Sequence, residues 1–266
     1  MISERDRPAA SGRRGRGRRG NRRTLGQNFL RDRDAVAAVV NQIGPPGSQV
    51  VELGAGDGAV TAELVRRGHD VTAVELDPRW ARTLRRRFDI SVVQGDMLQF
   101  RFPREPHRVV SNVPYSITTA LLRRLFEERA WTVAVLLVQW EVARKRAGHG
   151  TLVTASWSPW YEVELVRRIP ARGFRPVPQV DGGLIRLTRR PEPLVSDAER
   201  RAYQRFVASV FAGRGVGLEG VLLPYLTRLQ LRRWAAARHA RDALLPRDLN
   251  AYQWASLFRV IHGSRE

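Results

Sequence analysis

Short apolar runs alternate with amphipathic helical segments along most of the chain. Five runs rich in Val, Ile and Leu each end at a polar or glycine-rich stop: 49–53, 70–75, 90–93, 109–110 and 133–138. Apolar residues at helical spacing fill the segments between them: 32–43, 59–67, 78–88 and 118–128. A further apolar run at 180–187 supplies a last strand. Strands that alternate with helices predict an α/β fold with a mainly parallel sheet.

The pattern becomes entirely helical after Pro191-Glu192-Pro193. Ser196 and Glu199 have the spacing of a capping box, which predicts that a helix begins at Ser196. Three helical segments follow, at 196–211, at 217–238 with a break near Pro224, and at 246–261. We therefore predict a main domain at 24–190 and a small helical domain at 191–266.

The composition narrows the possible partners. The formal net charge is +20, from 46 basic and 26 acidic residues, and it indicates a polyanionic partner. The absence of cysteine and the five scattered histidines argue against a structural metal site. No apolar run is long enough to span a membrane. We expect a monomeric cytoplasmic protein that contacts neither a membrane nor a metal.

The first 23 residues are rich in arginine and glycine, most densely at 13–20. Such a segment cannot bury apolar surface, so we predict that it is disordered. It is either a solvated tail or an arm that grips RNA without sequence preference, through guanidinium contacts to phosphates and bases.

A glycine-rich loop, GAGDG at 54–58, joins the first predicted strand to a helix. Glu75 closes the next strand about twenty residues beyond the glycines, where nucleoside-binding folds place the acid that accepts the ribose hydroxyls. Gly54, Gly56 and Glu75 therefore indicate a cofactor that contains a nucleoside.

The same loop also fits a dinucleotide pattern, GxGxxA through Ala59, so a nicotinamide cofactor has to be considered. Pyrophosphate binds to free N–H groups at the positive end of a helix, whereas Glu52 and Asp57 place negative charge beside these glycines. Carboxylates repel phosphate and attract a sulfonium and an ammonium group. The charge pattern favours S-adenosylmethionine.

Polar residues also end the next two strands. Asp96 can accept the amino group of a cofactor's adenine. In NVPY at 112–115, Asn112 Oδ1 and the Val113 carbonyl can each accept one N–H of an exocyclic amine, while Tyr115 stacks on the base. Each motif alone also fits an ordinary turn. The ends of parallel strands share one edge of the sheet, where ligands bind, and this shared position favours the functional interpretation.

Five segments together resemble the motif series of the rRNA adenine N6-methyltransferases: QNFL at 27–30, ELGAGDG at 52–58, Glu75, GDML at 95–98 and NVPY at 112–115. That superfamily includes the macrolide-resistance (Erm) enzymes and the dimethyladenosine transferases of small-subunit biogenesis. The stretch 138–162 and the arginine-rich tail are most similar to the Erm enzymes of actinobacteria. FRPVP at 174–178 is shared by both branches.

The resemblance implies a Rossmann-like class I S-adenosylmethionine-dependent methyltransferase domain at 24–190 and an RNA-binding helical domain at 191–266. It implies methyl transfer to N6 of a specific adenine in 23S rRNA, which confers macrolide-lincosamide-streptogramin B resistance. Cofactor contacts, carried over by position, fall on Asn28, Leu30, Gly54, Gly56, Glu75, Asp96 and Asn112. Target-adenine contacts fall on Asn112, Val113, Tyr115 and Phe174, the last of which we predict to lie in a loop.

Three other functions remain open from the sequence. The chain could dimethylate two adjacent adenines of small-subunit rRNA, although the stretch around Trp140 and the short helical domain argue against this. It could be an RNA-binding assembly factor without chemistry, although Glu75, Asp96 and Asn112 are intact. A DNA adenine methyltransferase has a similar tetrapeptide but lacks the QNFL segment in this arrangement.

Overall fold

The computed structural model describes residues 28–148 and 150–263. Its strands are β1 (Phe29–Leu30), β2 (Gln49–Leu53), β3 (Asp70–Glu75), β4 (Ser91–Gln94), β5 (His107–Asn112), β6 (Trp131–Gln139), β7 (Tyr161–Ile169), β8 (Phe174–Arg175) and β9 (Gly182–Arg189). Its α-helices are α1 (Arg33–Asn41), α2 (Ala59–Arg66), α3 (Pro78–Arg87), α4 (Thr118–Glu127), α5 (Trp140–Ala147), α6 (Leu152–Trp157), α7 (Arg200–Phe211), α8 (Gly217–Leu222), α9 (Arg228–Ala237) and α10 (Ala251–His262).

The described residues form a seven-stranded sheet in the order β4-β3-β2-β5-β6-β9-β7. Neighbouring strands from β4 to β6 are parallel, and β9 pairs antiparallel with both β6 and β7. Strands β1 and β8 form a separate antiparallel pair. The α/β class predicted from the alternating pattern is confirmed, and each strand and helix predicted between residues 32 and 189 ends within two residues of the predicted bound.

Local sequence explains where these elements begin. The Asp32 side chain accepts the N–H groups of Asp34 and Ala35 at the start of α1, and Asp77 caps α3 with Pro78 at its first position. Both arrangements satisfy N–H groups that have no partner inside a helix. Strand β6 is buried along nearly its whole length, as a strand covered on both faces should be.

A continuous hydrophobic core connects the sheet to the C-terminal helices. The rings of Trp131 and Tyr161 stack at 5.0 Å, and Trp160 meets Tyr203 of α7 edge to face at 5.5 Å. The Tyr203 hydroxyl donates to the Ala155 carbonyl at 2.9 Å. Because the two contacts of Tyr203 cross the boundary predicted near residue 191, the helical part packs directly on the preceding domain, and its independence as a domain stays a prediction.

Helix α7 begins later than the sequence predicted. The Ser196 hydroxyl donates to Glu199 Oε2 at 2.7 Å, so the two side chains of the expected capping box bind each other. Residues 196–199 form a turn, and α7 starts at Arg200. The predicted break near Pro224 is confirmed, because it separates α8 from α9.

The sequence pattern missed α5, α6 and β7. Strand β7 lies at the edge of the sheet, where Glu162, Glu164, Arg167 and Arg168 are exposed. A register shift between Leu165 and Arg167 also interrupts the alternation by which a strand is recognised. No helix within residues 28–148 and 150–263 is long and apolar enough to cross a membrane. The arginine-rich tail predicted at 1–23 lies outside the described residues.

Candidate active site

Four strand ends meet around one cavity of about 280 Å³. Strand β2 leads into the glycine loop, β3 ends at Glu75, β4 is followed by Asp96, and β5 ends at Asn112. The cavity is lined by nine of the residues predicted as site residues: Asn28, Leu30, Gly54, Gly56, Glu75, Asp96, Asn112, Val113 and Tyr115. The expectation that Gly54, Glu75, Asp96 and Asn112 share one edge of the parallel sheet is therefore met.

The glycine loop requires its glycines for geometric reasons. Gly54 and Gly56 have φ values of +75° and +56°, which favour glycine. A Cβ at Gly54 would lie 2.7 Å from Met97 Cε, and one at Gly56 would lie 2.9 Å from the Phe29 ring. The loop can therefore run close beneath a ligand while its own neighbours remain packed.

The N–H groups of the loop are already engaged within the protein. Gly54 and Ala55 donate to the Val74 carbonyl, and Gly56 donates to Glu75 Oε2 at 2.7 Å. A pyrophosphate site needs such groups to be free. This engagement is a stronger argument against a dinucleotide than the charge pattern considered from the sequence.

Glu75 is a buried carboxylate with both oxygens held. Its Oε2 accepts from Gly56, and its Oε1 accepts the Asp77 N–H at 2.8 Å. Burial is the main cause that raises the pKa of Glu75, and the backbone donors act in the opposite direction. Each oxygen can accept a second hydrogen bond, so the group can bind a pair of ribose hydroxyls.

The charges near the loop differ from those that the sequence suggested. Glu52 lines the cavity but is 4% exposed, and burial raises its pKa to about 8, so its carboxyl is protonated at neutral pH. Its Oε2 accepts the Thr61 hydroxyl at 2.6 Å. Asp57 forms an ion pair with Arg31 at 2.5 Å. Only Asp57 therefore keeps the negative charge that the sequence places beside the glycines, and it is paired with Arg31.

Asn112 is oriented by a backbone group from the N-terminal segment. Its Nδ2 donates to the Asn28 carbonyl at 2.7 Å. Because a carbonyl can only accept, this bond identifies the amide nitrogen, and Oδ1 is left as the acceptor for a ligand. The side chain therefore enters the cavity with a defined polarity.

Val113 and Tyr115 complete this end of the cavity. The Val113 N–H donates to the Leu137 carbonyl at 3.0 Å, and the following residue, Pro114, has no N–H. The Tyr115 hydroxyl is buried without a hydrogen-bond partner in the described part of the chain, and burial, followed by the charge of Asp181, raises its pKa. Asn112, Val113 and Tyr115 thus line the same cavity.

Phe174 is placed differently from the prediction. It lies in β8 rather than in a loop, and it pairs with Leu30 of β1. Its ring is fully buried, and Phe174 does not line the cavity. The expected loop position is wrong. The β1–β8 pair contains only two residues of each strand, and such a short strand shows no alternating pattern in the sequence by which it could be recognised. Contact between Phe174 and the target adenine stays a prediction.

The sequence assigned no role to several cavity-related residues, among them Phe29, Leu76 and Arg31. Phe29 and Leu76 line the cavity, and Leu76 is 50% exposed at the end of β3. An apolar residue directly after a strand-ending acid is the signal that could have identified Leu76. The ion pair of Arg31 with Asp57 joins segments that are distant in sequence, so it cannot be predicted from the local sequence pattern.

Comparisons with known proteins agree with this geometry. A model of the ribosomal RNA adenine dimethylase family matches residues 18–262. The mycinamicin-resistance protein MyrB of Micromonospora griseorubida is 50% identical over 246 residues, which cover 91% of this chain and 79% of that protein. An rRNA adenine N-6-methyltransferase of Corynebacterium diphtheriae is 41% identical over 202 residues, covering 74% of this chain and 80% of that protein.

A solved structure extends the similarity to the whole architecture. The structure of the 23S rRNA methyltransferase ErmE superposes with a TM-score of 0.81 at 33% identity. The match covers 88% of this chain and all of the ErmE chain. The similarity thus includes both the sheet and the C-terminal helices.

Proposed function

The chain belongs to the ribosomal RNA adenine dimethylase family of methyltransferases, and we propose that it methylates N6 of a specific adenine in 23S rRNA with S-adenosylmethionine. The modification lowers the affinity of the ribosome for macrolide, lincosamide and streptogramin B antibiotics. The observation that carries the proposal is that Asn112 and Glu75 line one cavity, so an amine-binding group faces a nucleoside-binding group. The similarity to a mycinamicin-resistance protein and to a 23S rRNA methyltransferase supports the choice of substrate.

The cavity residues fit S-adenosylmethionine. Glu75 accepts the ribose hydroxyls, and Asp96 lies at the next strand end, where it accepts the adenine amino group of the cofactor. Leu76 and Met97 line the same region and supply apolar contacts for that adenine. The bound cofactor supplies a methyl group on a positively charged sulfur.

The remaining groups act on the target adenine. Its amino group is a poor nucleophile because the nitrogen lone pair is delocalised into the ring. Asn112 Oδ1 and the Val113 carbonyl each accept one N–H, which draws the nitrogen towards tetrahedral geometry and localises the lone pair. The Tyr115 ring stacks on the base. No general base is needed before attack, since the proton becomes acidic once the nitrogen is alkylated.

The C-terminal helices provide a wall for the RNA. Exposed arginines lie on and after α9, at positions 232, 233, 238 and 241. Guanidinium groups on one surface bind phosphates without reading the bases, and they position a nucleic acid. In this proposal the arginine surface binds the RNA backbone, and the cavity binds the target adenine.

Labelled S-adenosylmethionine and separate transcripts of large- and small-subunit rRNA test the proposal. Purified protein should label the large-subunit RNA, and primer extension should locate a single modified adenine. Asn112→Ala should lower the rate of labelling to less than about a tenth of the wild-type rate, whereas Val216→Ala, a change at a side chain that is 95% exposed, should not. Label on small-subunit RNA alone would contradict the proposed substrate.

A further inference from the structure

Two exposed valines lie in the loop that joins β8 to β9. In this loop, residues 176–181, Val177 is 54% and Val180 is 44% exposed. Pro176 and Pro178 restrict its backbone, because each fixes its own φ. The loop therefore holds apolar side chains in solvent on a stiff support. Apolar side chains exposed in this way can form part of a contact surface for a partner.

Both ends of the loop are attached beside the cavity. At its start, Arg175 is paired with Phe29, which lines the cavity. At its end, the Asp181 carbonyl accepts the Trp140 N–H at 2.9 Å. The Asp181 carboxylate accepts from the Ala171 N–H at 2.8 Å and from Arg168 Nε at 2.6 Å. These bonds fix where the valines can lie.

The sheet places this loop on the side where the target base enters. Asn112 of β5 is paired with Leu137 of β6, and Gly182 of β9 is paired with the nearby Gln139. The loop end and Asn112 are therefore separated by one intervening strand at the same edge of the sheet. Burial and, after it, the charge of Asp181 raise the pKa of the Tyr115 hydroxyl, in agreement with this placement of the loop end.

The charge around the valines suits an RNA partner. Arg172 and Arg175 flank the start of the loop and are exposed. Within the described residues neither forms a salt bridge, and Arg175 donates only to the carbonyls of Arg172 and Phe174. Guanidinium groups that lack a carboxylate partner are available for phosphates.

Building on the proposed function, we propose that Val177 and Val180 form a wedge that enters the RNA base stack where the target adenine leaves it. Arg172 and Arg175 bind the phosphates on either side. An adenine must leave its stack to reach Asn112, and the unstacked neighbours expose apolar surface. Valine side chains inserted between bases cover that surface and offset the cost of unstacking.

Base unstacking can be measured directly. The base next to the mapped target adenine is replaced by 2-aminopurine, whose fluorescence rises when the adenine beside it leaves the stack. The wild type should raise the fluorescence on binding. The double variant V177S/V180S should lower this unstacking, and kcat/KM for methylation, by about tenfold or more, the effect of losing about one buried valine. The matched control Val216→Ser should stay within about twofold of the wild type.

A second RNA separates a wedge from a merely structural role. An abasic position next to the target removes the stacking that the valines must overcome. On this RNA the double variant should recover to within about twofold of the wild type, and its affinity for S-adenosylmethionine should be unchanged on any RNA. The wedge alone would be overturned if the double variant unstacks the probe to the same extent as the wild type does. It would also be overturned if the abasic RNA fails to restore the activity of the double variant. A wild-type protein that labels no RNA would overturn the proposed function together with the wedge.

Discussion

Glu52 is the group whose charge state we expect to dominate the pH dependence of stability. The change is Glu52→Gln, which keeps the shape of the side chain and an oxygen that can accept the Thr61 hydroxyl. Burial is the largest cause of its raised pKa, to about 8 from 4.5, and the charges of Glu75 and Asp57 raise it further. The substitution removes the titration and leaves the contact.

The direction of the pH dependence of stability follows from which state, folded or unfolded, holds the proton. Between pH 4.5 and about pH 8 the folded protein keeps a proton that the unfolded chain has released, so this group makes stability fall as pH rises. Each pH unit in the window changes the free energy of unfolding by about 1.4 kcal/mol, so Glu52→Gln should gain about 4 kcal/mol relative to the wild type between about pH 5 and about pH 8.

Urea unfolding of both proteins across this pH range measures the difference. Glu63→Gln is the control, because Arg66 and Arg67 lower the Glu63 pKa to about 2. The stability that Glu63 contributes is present above its unfolded pKa of 4.5 and is lost only as pH falls through about 2. The free energy of unfolding of Glu63→Gln, plotted against pH, should therefore be displaced from that of the wild type but have the same slope over the assayed pH range. If the free energies of unfolding of Glu52→Gln and the wild type depend on pH in the same way, Glu52 does not keep its proton in the folded protein and the prediction is wrong.

Three further predictions concern catalysis and RNA binding. Asn112→Ala should cost about 2 to 4 kcal/mol of transition-state stabilisation, measured as kcat/KM, because one of two acceptors for the amine is lost; more than about a tenth of wild-type activity would contradict this. Tyr115→Phe should retain activity, because the hydroxyl has no partner in the described residues, whereas Tyr115→Ala should lose about 1 to 3 kcal/mol of base stacking in the same assay. Deleting residues 1–22 should lower RNA affinity and flatten its salt dependence while leaving the modified adenine unchanged; equal salt slopes for the full-length and shortened chains would identify a passive tail.

The positions of the site residues follow from the sequence because a parallel sheet brings the ends of its strands to one edge. Gly54, Glu75, Asp96 and Asn112 each follow an apolar run, so placing the runs also places the four polar groups. The hydrophobic pattern determines this much because it depends only on local periodicity. The resemblance to a known motif series then adds the identity of the ligands.

Features that depend on contacts between distant segments could not be predicted in this way. The protonation of Glu52 requires knowing that it is almost fully buried, and the pairing of Arg31 with Asp57 requires the fold itself. The buried ring of Phe174 depends on a two-residue strand pair. In each case tertiary packing determines whether the side chain is buried or paired, and the local sequence is compatible with both a buried or paired side chain and an exposed one.

The bond between Asn112 and Asn28 connects the fold to the choice of base. The bond uses one N–H of Nδ2 and fixes the orientation of the amide, which leaves Oδ1 as an acceptor for the target, and we expect the Val113 carbonyl to be a second acceptor. Two acceptors match the two N–H groups of the adenine amine, whereas guanine would bring its O6 against them and leave both acceptors unpaired. Sites built for a specific hydrogen bond discriminate against a base without it by about 10⁴-fold. We therefore predict that this backbone carbonyl, 84 residues away in sequence, orients Asn112 for the recognition of an amino group.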